Sequence, residues 1–354
     1  MSQRPIAVVE HTEAKTWDAL VIDHPHGHVL QSWAWGELKG RFGWQPVRVA
    51  ATDGQSTAAA QLLIRPLYGL AVAYVPRGPL FAGDDLVNQA LIQTLRRIAR
   101  RRRAAFLRLE PNMFEGSLPA NQLHSFLQVN RLLPAEPLQP RSTIQLNLQP
   151  EPSALFAAFS KGHRADVRRA ERNGVTVRVG STAADLDQFY AIMQATSSRQ
   201  NFGIHGRTYY EAVWHLFGDA ARLLLAEQQG QPLAAFLILG WGSTAHYMYS
   251  GSTEDGLKQG ANHLLQWHAL QWARERGCTT YDFWGIPDAF GQMAHTSAAE
   301  LAELEQAAKQ HPLYGVYRFK KGWGGHVVRT LPAYDQVYLG PLYWLWQRRR
   351  GGSD

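Results

Sequence analysis

The sequence predicts a mixed α/β protein in which one folding unit is used twice. Three observations predict it. The order strand, turn, strand, strand, loop, helix, strand occurs between residues 45 and 110 and again between 221 and 286. Helical segments stand ahead of each copy, and the 354 residues suffice for two ordinary domains.

In the first copy, QPVRVAA and TAAAQLLI are β-rich runs separated by a turn at Asp53-Gly54. LAVAYV follows as a third strand, then the loop PRGPLFAG, a helix from Asp84 to Arg103, and the strand AFLRLEP. In the second copy ARLLLAEQ, a turn at Gln229-Gly230, PLAAFLILG and TAHYMYSG repeat the meander. The loop STEDGLKQG, a helix from Ala261 to Arg276 and the strand TTYDFWGI complete it. The leading helices run over Ser32–Arg41 for the first copy, and over Leu186–Gln200 and Tyr209–Phe217 for the second. Residues 111–142 read as a connection with one short helix, and Ala289–Pro312 as a largely helical insertion. Helices ahead of an antiparallel meander, then a helix crossing to a further strand, is the topology of the Gcn5-related acyltransferase fold. The predicted architecture is therefore two tandem Gcn5-related (GNAT-like) domains, over 1–144 and 145–330, with 331–354 completing the first.

Composition narrows the function classes. Apolar residues make up 45% and charged residues 18%, a globular balance. The formal net charge of +7 favours anionic partners without choosing among phosphates, nucleic acid and acidic lipid. A single cysteine, Cys278, forbids an intrachain disulfide and a multi-cysteine zinc site. The fourteen histidines include the alternating His24, His26 and His28 but form no metal-binding spacing, so no metal is expected. There is no GxSxG, Walker A or strand-borne GxGxxG sequence, which leaves covalent serine or cysteine catalysis without support. No signal-type leader and no apolar run of about 20 residues occurs, and a cytoplasmic protein is expected.

Two arginine-rich stretches suit phosphate or RNA. KGHRADVRRAERNG (161–174) sets Lys161, Arg164, Arg168, Arg169 and Arg172 mostly on one side of a helix that ends at Asn173-Gly174. RRIARRRR (96–103) has the same character. Cations at a helix C-terminus are also favoured by the helix dipole alone. The loop DGLKQGANHLLQW stands where acyl-CoA enzymes of this fold hold a pyrophosphate, but Gln259-Gly260-Ala261-Asn262 has no second glycine or alanine in register, which weakens acyl-CoA use.

Five further stretches occur in order: QSWAWGELKGRFGW, YVPRGPL, SKGHRADVRRAERNGVTV, YMYSGS with NHLLQWHALQWARERGCTTYDFWGI, and GVYRFKKGWGGHVVR. Together they resemble the successive motifs of the FemABX family of peptidoglycan-bridge aminoacyltransferases, across about nine-tenths of the chain. The resemblance implies transfer of an amino acid from aminoacyl-tRNA to the side-chain amine of a peptidoglycan precursor, either UDP-linked muropeptide or lipid II. It implies no cofactor beyond aminoacyl-tRNA as co-substrate. Some members carry a long helical arm in the second domain; no such segment is read here, so the chain resembles the armless type.

The resemblance also assigns roles. The Phe319-Lys320 pair matches the motif at the reaction centre, with Lys320 stabilising the oxyanion and Phe319 shaping the site. Lys39 matches a phosphate-contacting position. Arg199 and Arg207, flanking NFGIHG, and Arg77 in PRGPL are candidates for the same task, because guanidinium groups grip phosphate bidentately. Tyr247 and Tyr249 alternate on one strand, which places both phenols on one face for substrate contact or core packing. Glu110 and Asp282, near strand ends, are candidates to orient the attacking amine. YRFKKGWGGH (317–326) reads as a strand, with Lys320 and Lys321 on opposite sides. The C-terminal PLYWLWQRRR suits a peripheral contact with a membrane surface or packing on the first domain. A monomer is expected. The competing readings are an acyl-CoA-dependent N-acyltransferase on the same fold and a non-catalytic basic RNA-binding protein.

Overall fold

A computed structural model describes residues 5–293, 306, 309–311 and 313–350. The chain divides into two compact units, one of Met1–Arg141 with Arg329–Asp354 and one of Ser142–Val328. Each is built on a seven-stranded sheet.

The first unit runs β1 (Ala7–Glu10), α1 (Ala14–Asp23), a 3-10 turn at Val29–Gln31, α2 (Trp33–Arg41), β2 (Gln45–Thr52), β3 (Thr57–Leu67), β4 (Leu70–Val75), α3 (Asp85–Arg101), β5 (Ala104–Leu109), α4 (Leu118–Val129) and β6 (Leu133–Ala135). Local chemistry explains most of it. Asp53 Oδ1 accepts from the backbone N–H groups of Gln55 and Ser56, and Gly54 takes φ +87°, closing the β2–β3 hairpin. Ser32 caps α2, and Asp84 caps α3 by accepting from Leu86 and Val87 N–H. Val87, Leu91, Ile92, Leu95 and Ala99 form the buried stripe of α3. Each large member contributes about 1.5–3 kcal/mol by burial. Residues 111–142, expected as a connection with a short helix, form the twelve-residue α4 and an edge strand, and Leu123 and Leu127 bury beside the α3 stripe.

The second unit runs β7 (Ser142–Asn147), α5 (Pro152–Ala158), α6 (Lys161–Arg172), β8 (Thr176–Val179), α7 (Ala183–Gln200), α8 (Arg207–Phe217), β9 (Ala221–Gln228), β10 (Gln231–Trp241), β11 (Thr244–Ser252), α9 (Glu254–Gln259), α10 (Ala261–Glu275), β12 (Thr280–Ile286), α11 (Asp288–Met293), α12 (Tyr314–Lys321) and β13 (His326–Arg329). The chain then re-enters the first unit as β14 (Ala333–Val337) and α13 (Gly340–Arg350). Gln229 and Gly230 both take positive φ, the two-residue turn that matches strand twist. The expected loop 252–260 contains α9, capped by Thr253 and ended by Gly260 in the left-handed region at φ +79°. Most of the expected insertion Ala289–Pro312 lies outside the described residues, and among those described no long antiparallel helical arm occurs.

The two sheets repeat one plan. The first is ordered β1-β2-β3-β4-β5-β14-β6, and the second, read in the same sense, β8-β9-β10-β11-β12-β7-β13. In both, an antiparallel meander precedes one parallel pair, β4 with β5 and β11 with β12, bridged by α3 or α10. The sixth position is filled from opposite directions in the chain: β14 comes from the C-terminal segment, β7 from the residues that open the second unit.

The two parallel pairs differ. β4 and β5 stay paired to the end of β4, from Ala71↔Ala104 to Val75↔Leu109. β11 and β12 pair only from Thr244↔Thr280 to His246↔Asp282, although both strands run on. The second unit therefore has a sheet that splays open, and the first does not.

Candidate active site

The splay begins where both of its strands are bulged, β11 against β10 and β12 against β7. Between Asp282 and Gly285 the register of β12 against β7 slips by one residue, and Trp284 takes φ +61°. A left-handed conformation costs a bulky residue about 1–2 kcal/mol. It is held by Asp282, whose Oδ1 accepts the Trp284 N–H at 2.7 Å. The neighbouring carbonyls of Trp284 and Gly285 receive Lys320, whose Nζ lies 2.6 Å from Gly285 O and 3.3 Å from Trp284 O.

Lys320 sits on α12, so YRFKKGWGGH is not a strand: its first half is helical and its extended part starts at His326. Tertiary docking decides this. Tyr317 stacks on Phe290 with centroids 3.9 Å apart, and His163 of α6 donates Nε2–H to the carbonyl of Phe319 at 2.7 Å. Lys320 is the buried residue of this helix, 7% exposed. Burial lowers its pKa to about 8, with Asp282 opposing. The group thus remains largely cationic at neutral pH. Its ammonium has three donors and the β12 carbonyls take two, leaving one for a substrate oxygen.

Phe319, Lys320, Tyr247, Tyr249 and Arg199 line one cavity of about 540 Å³ in the second unit. Arg199 donates Nη1 to Ser252 O at 2.9 Å, while its Nε is buried without a hydrogen-bond partner among the described residues. The two tyrosines do not share surroundings. A register shift between β10 and β11 breaks the alternation: Tyr247 packs on Phe236 and Phe283 in the core, whereas Tyr249 packs on Tyr209 and Tyr210 of α8. Burial raises the pKa of both phenols, so they remain neutral donors and acceptors.

Other candidates have structural surroundings. Asp282 accepts from Thr143 Oγ1 (2.5 Å), Gln145 Nε2 (3.2 Å) and Trp284 N–H, which commits it to holding the bulge rather than an amine. Arg207 is clasped by Asp187 at 2.5 Å and Glu211 at 3.1 Å and is not among the cavity residues. Its charge is already answered by two carboxylates, so Arg207→Ala is expected to leave the KM for precursor within about two-fold of wild type, the scale of a surface substitution. Steady-state titration of the precursor checks this.

Lys39, Arg77 and Glu110 belong to the first unit. Lys39 lies over the Trp35 ring at 4.6 Å, and burial, with Arg65 nearby, lowers its pKa to about 8. Arg77 is buried and donates to Thr330 Oγ1 at 3.0 Å and Pro140 O at 2.5 Å, a strut rather than a phosphate clamp. Glu110 is buried and accepts from the Tyr74 hydroxyl at 2.6 Å and from the backbone N–H groups of Leu138 and Gln139. Those bonds fasten a loop and leave it no amine to orient. Burial raises its pKa.

Sequence reasoning missed three cavity or support residues. His163 also bonds Ser160 Oγ at 2.9 Å, its ring 4.6 Å from that of His263 and 4.8 Å from that of Trp323. Burial first, then His163 and Arg169, lower His263 to about 3, so it stays neutral. Asn262, in the first turn of α10, lines the cavity with Oδ1 buried and without a partner among the described residues, an acceptor for a substrate N–H. A scan for metal spacing passes over such residues. The usable signal was local: His163 follows a serine N-cap, and Asn262 and His263 follow the glycine that opens α10.

The N-terminus of α10 is closely packed. A Cβ at Gly260 would lie 2.6 Å from the carbonyl oxygen of Asp166 on α6, and the Asp166 carboxylate lies 3.5 Å from His263 Nε2. Backbone therefore stands against the helix end on which acyl-CoA enzymes of this fold seat a pyrophosphate, beside an ion pair of Asp166 with Arg169 at 3.0 Å.

Comparison with known proteins accords with the two-unit reading. Residues 12–133 match the FemAB family, and residues 157–310 match an acetyltransferase (GNAT) domain. The chain is similar to the lipid II:glycine glycyltransferase of Staphylococcus saprophyticus subsp. saprophyticus, 25% identical with 92% of each chain covered. It is 24% identical to the enzyme of the same name from Staphylococcus aureus strain USA300, over 95% of this chain and 94% of that one. The crystal structure of FemX superposes with a TM-score of 0.81 at 22% identity, covering 96% of this chain and 99% of the other. A tandem GNAT protein from the clavulanic acid biosynthesis pathway gives 0.57 at 12% identity, over 94% and 98%.

Proposed function

The chain belongs to the FemABX family and is an aminoacyltransferase on a tandem GNAT-like fold, and from that premise we propose that it transfers an amino acid from aminoacyl-tRNA to the side-chain amine of a peptidoglycan precursor. Lipid II, the substrate in the relatives' name, is the first choice of acceptor and UDP-muropeptide the second. The observation that carries the reading is Lys320, a buried ammonium at the mouth of a splayed sheet with two carbonyls fixing it.

The chemistry follows from that placement. The neutral amine attacks the ester carbonyl carbon, giving a tetrahedral oxyanion. The free donor of Lys320 stabilises that charge, a preorganised interaction that grows toward the transition state. The C–O bond to the ribose then breaks, the amide forms, and the amine proton passes to the departing ribose oxygen. No enzyme nucleophile is needed. Phe319 and Trp284 wall the cavity, Tyr247 and Tyr249 offer neutral hydroxyls, and Arg199 offers an unpaired N–H to a phosphate or carboxylate oxygen. Lys39, partly buried in the first unit, is the candidate phosphate contact of that unit. The reaction needs no cofactor beyond aminoacyl-tRNA.

The acyl-CoA alternative is disfavoured by the packed N-terminus of α10. Purified protein with radiolabelled aminoacyl-tRNA, lipid II or UDP-muropeptide, and in parallel labelled acetyl-CoA, tests the assignment. Label is expected in the precursor from aminoacyl-tRNA. Label arriving from acetyl-CoA and never from aminoacyl-tRNA overturns it.

A further inference from the structure

One basic motif, RRIARRRR, is not used by this chemistry. It closes α3 in the first unit, where a concavity of about 700 Å³ is lined by Arg96, Arg97, Arg100 and Arg101 from α3 and by Arg131 from the turn after α4. Its lining contains no carboxylate. Among the described residues, none of Arg97, Arg100, Arg101 and Arg131 has an ion-pair partner.

Helix-dipole stabilisation favours cations in the last turn of α3 and also Arg131 just past the end of α4, but it does not explain why the two helix ends line one hollow. Arg131 is also conformationally out of place. It takes φ +58° just past the end of α4, where glycine is the least costly residue. Arg96 fixes that turn, donating Nη2 to the Asn130 carbonyl and to Gln336 Oε1 at 2.8 Å. Burial lowers the Arg96 pKa, with Tyr338 opposing and the neighbouring Arg100 and Arg131 adding to the fall. Like charges are thus gathered on two walls of one hollow at a cost in stability, an arrangement that calls for an anion to enter between them.

We infer that this hollow grips the phosphate backbone of an RNA, the transfer RNA that carries the aminoacyl group, through Arg97, Arg100, Arg101 and Arg131. The identity of the RNA rests on the donor proposed above. Concavity favours a projecting phosphodiester strand over a bilayer, whose surface cannot enter a hollow. Guanidinium groups one helical turn apart can each take a separate phosphate.

The test uses the full chain and unfractionated uncharged tRNA in fluorescence anisotropy across a salt series, with phosphatidylglycerol vesicles in parallel. Arg97→Gln/Arg100→Gln/Arg101→Gln is expected to weaken tRNA binding by about ten-fold or more and to reduce the log–log salt slope by about 2–3, one phosphate contact per arginine. The KM for aminoacyl-tRNA should rise while kcat holds. Arg131→Gly should weaken tRNA binding and raise the thermal midpoint together, which a purely structural arginine would not do. Unchanged affinity and slope in the triple variant overturn the proposal while leaving the donor intact if transfer persists. Loss of vesicle binding with tRNA binding unaffected also overturns it, in favour of a membrane surface. A wild-type protein that transfers acyl groups but neither binds tRNA nor uses it removes the donor and this surface together.

Discussion

Lys320→Met is expected to lower kcat by about 10²–10³, the cost of losing one oxyanion donor, while precursor binding holds within about two-fold. Methionine keeps the length and apolar stem of lysine, so the change isolates the ammonium. In the wild type, kcat should fall as pH rises through about 8, because the proton that makes Lys320 cationic is then lost. The variant should lack that limb. Stability has the opposite sign. Below pH 8 lysine is charged in both the folded and unfolded states, and a depression from 10.5 to about 8 means that burying the charge costs on the order of 3 kcal/mol. Between pH 8 and 10.5 the unfolded chain binds the proton and the folded chain does not, so wild-type stability rises across that window. Lys320→Met removes the burial cost but leaves the carbonyls of Trp284 and Gly285 short of a donor, at about 1–3 kcal/mol. Its thermal midpoint at pH 7 should therefore stay near wild type, and between pH 8 and 10.5 its stability should rise by about 3 kcal/mol less than that of the wild type, the shared part of the rise coming from Lys39. Rate profiles and denaturant titrations over that range check both. A kcat that survives in the variant removes the oxyanion role.

The duplicated plan was readable because it rests on local chemistry. Period-two apolar runs, paired turns at Asp53-Gly54 and Gln229-Gly230, and the stripe of α3 each have a sequence pattern of their own. β7 (STIQLN) and β14 (AYDQV) do not, being short and mixed, and they become strands only because the sheets offer an unpaired edge at β12 and at β5. The same reason hid α12. An eight-residue helix with a glycine in it is marginal alone and exists here by docking on Phe290 and His163. YRFKKGWGGH looked strand-like because its aromatics are β-formers, and no local rule says where they will dock.

The difference between the halves was the least legible feature. Both share one element order, yet β4–β5 is zipped shut and β11–β12 is open. Each strand of the open pair has an inserted residue just past its last shared rung, β11 between His246 and Tyr249 and β12 between Asp282 and Gly285, the latter with tryptophan at a φ where glycine or asparagine would be the expected signal. At the matching end of the first unit, Glu110 N–H bonds Val75 O and continues the pairing. A cleft that accepts a lysine thus exists in the second unit for reasons of register. Tyr247 and Tyr249 show the same effect: a bulge overrides the alternation that put their phenols on one face.

Gly322→Ala should be among the most damaging substitutions in the chain, although alanine suits the backbone there. Gly322 sits at φ −63°, so no conformational freedom is lost. The obstacle is space: a Cβ would lie 2.0 Å from His163 Cε1 and 2.4 Å from both ring nitrogens. The ring must move, losing its bonds to Ser160 Oγ and Phe319 O and its contacts with Trp323 and His263. Overpacking costs about 1–3 kcal/mol, and each lost hydrogen bond adds about 1 kcal/mol. Because the Phe319 carbonyl immediately precedes Lys320, the displacement also reaches the Lys320 ammonium, and under the proposed role an error near 1 Å is enough to lower kcat by about 10²-fold. His163→Ala alone loses the same two bonds without the clash. In His163→Ala/Gly322→Ala the new methyl has room, so the double variant should be more stable than the sum of the singles predicts by at least about 1 kcal/mol, with kcat near that of His163→Ala. Additive destabilisation in denaturant titrations would show that the imidazole is not what Gly322 makes room for. The close approach of α6 to the FKKGWGG turn would then be held by its N-cap, where Ser160 N–H donates to Gly322 O at 2.8 Å, and by Trp323, whose ring packs 4.8 Å from that of Phe159.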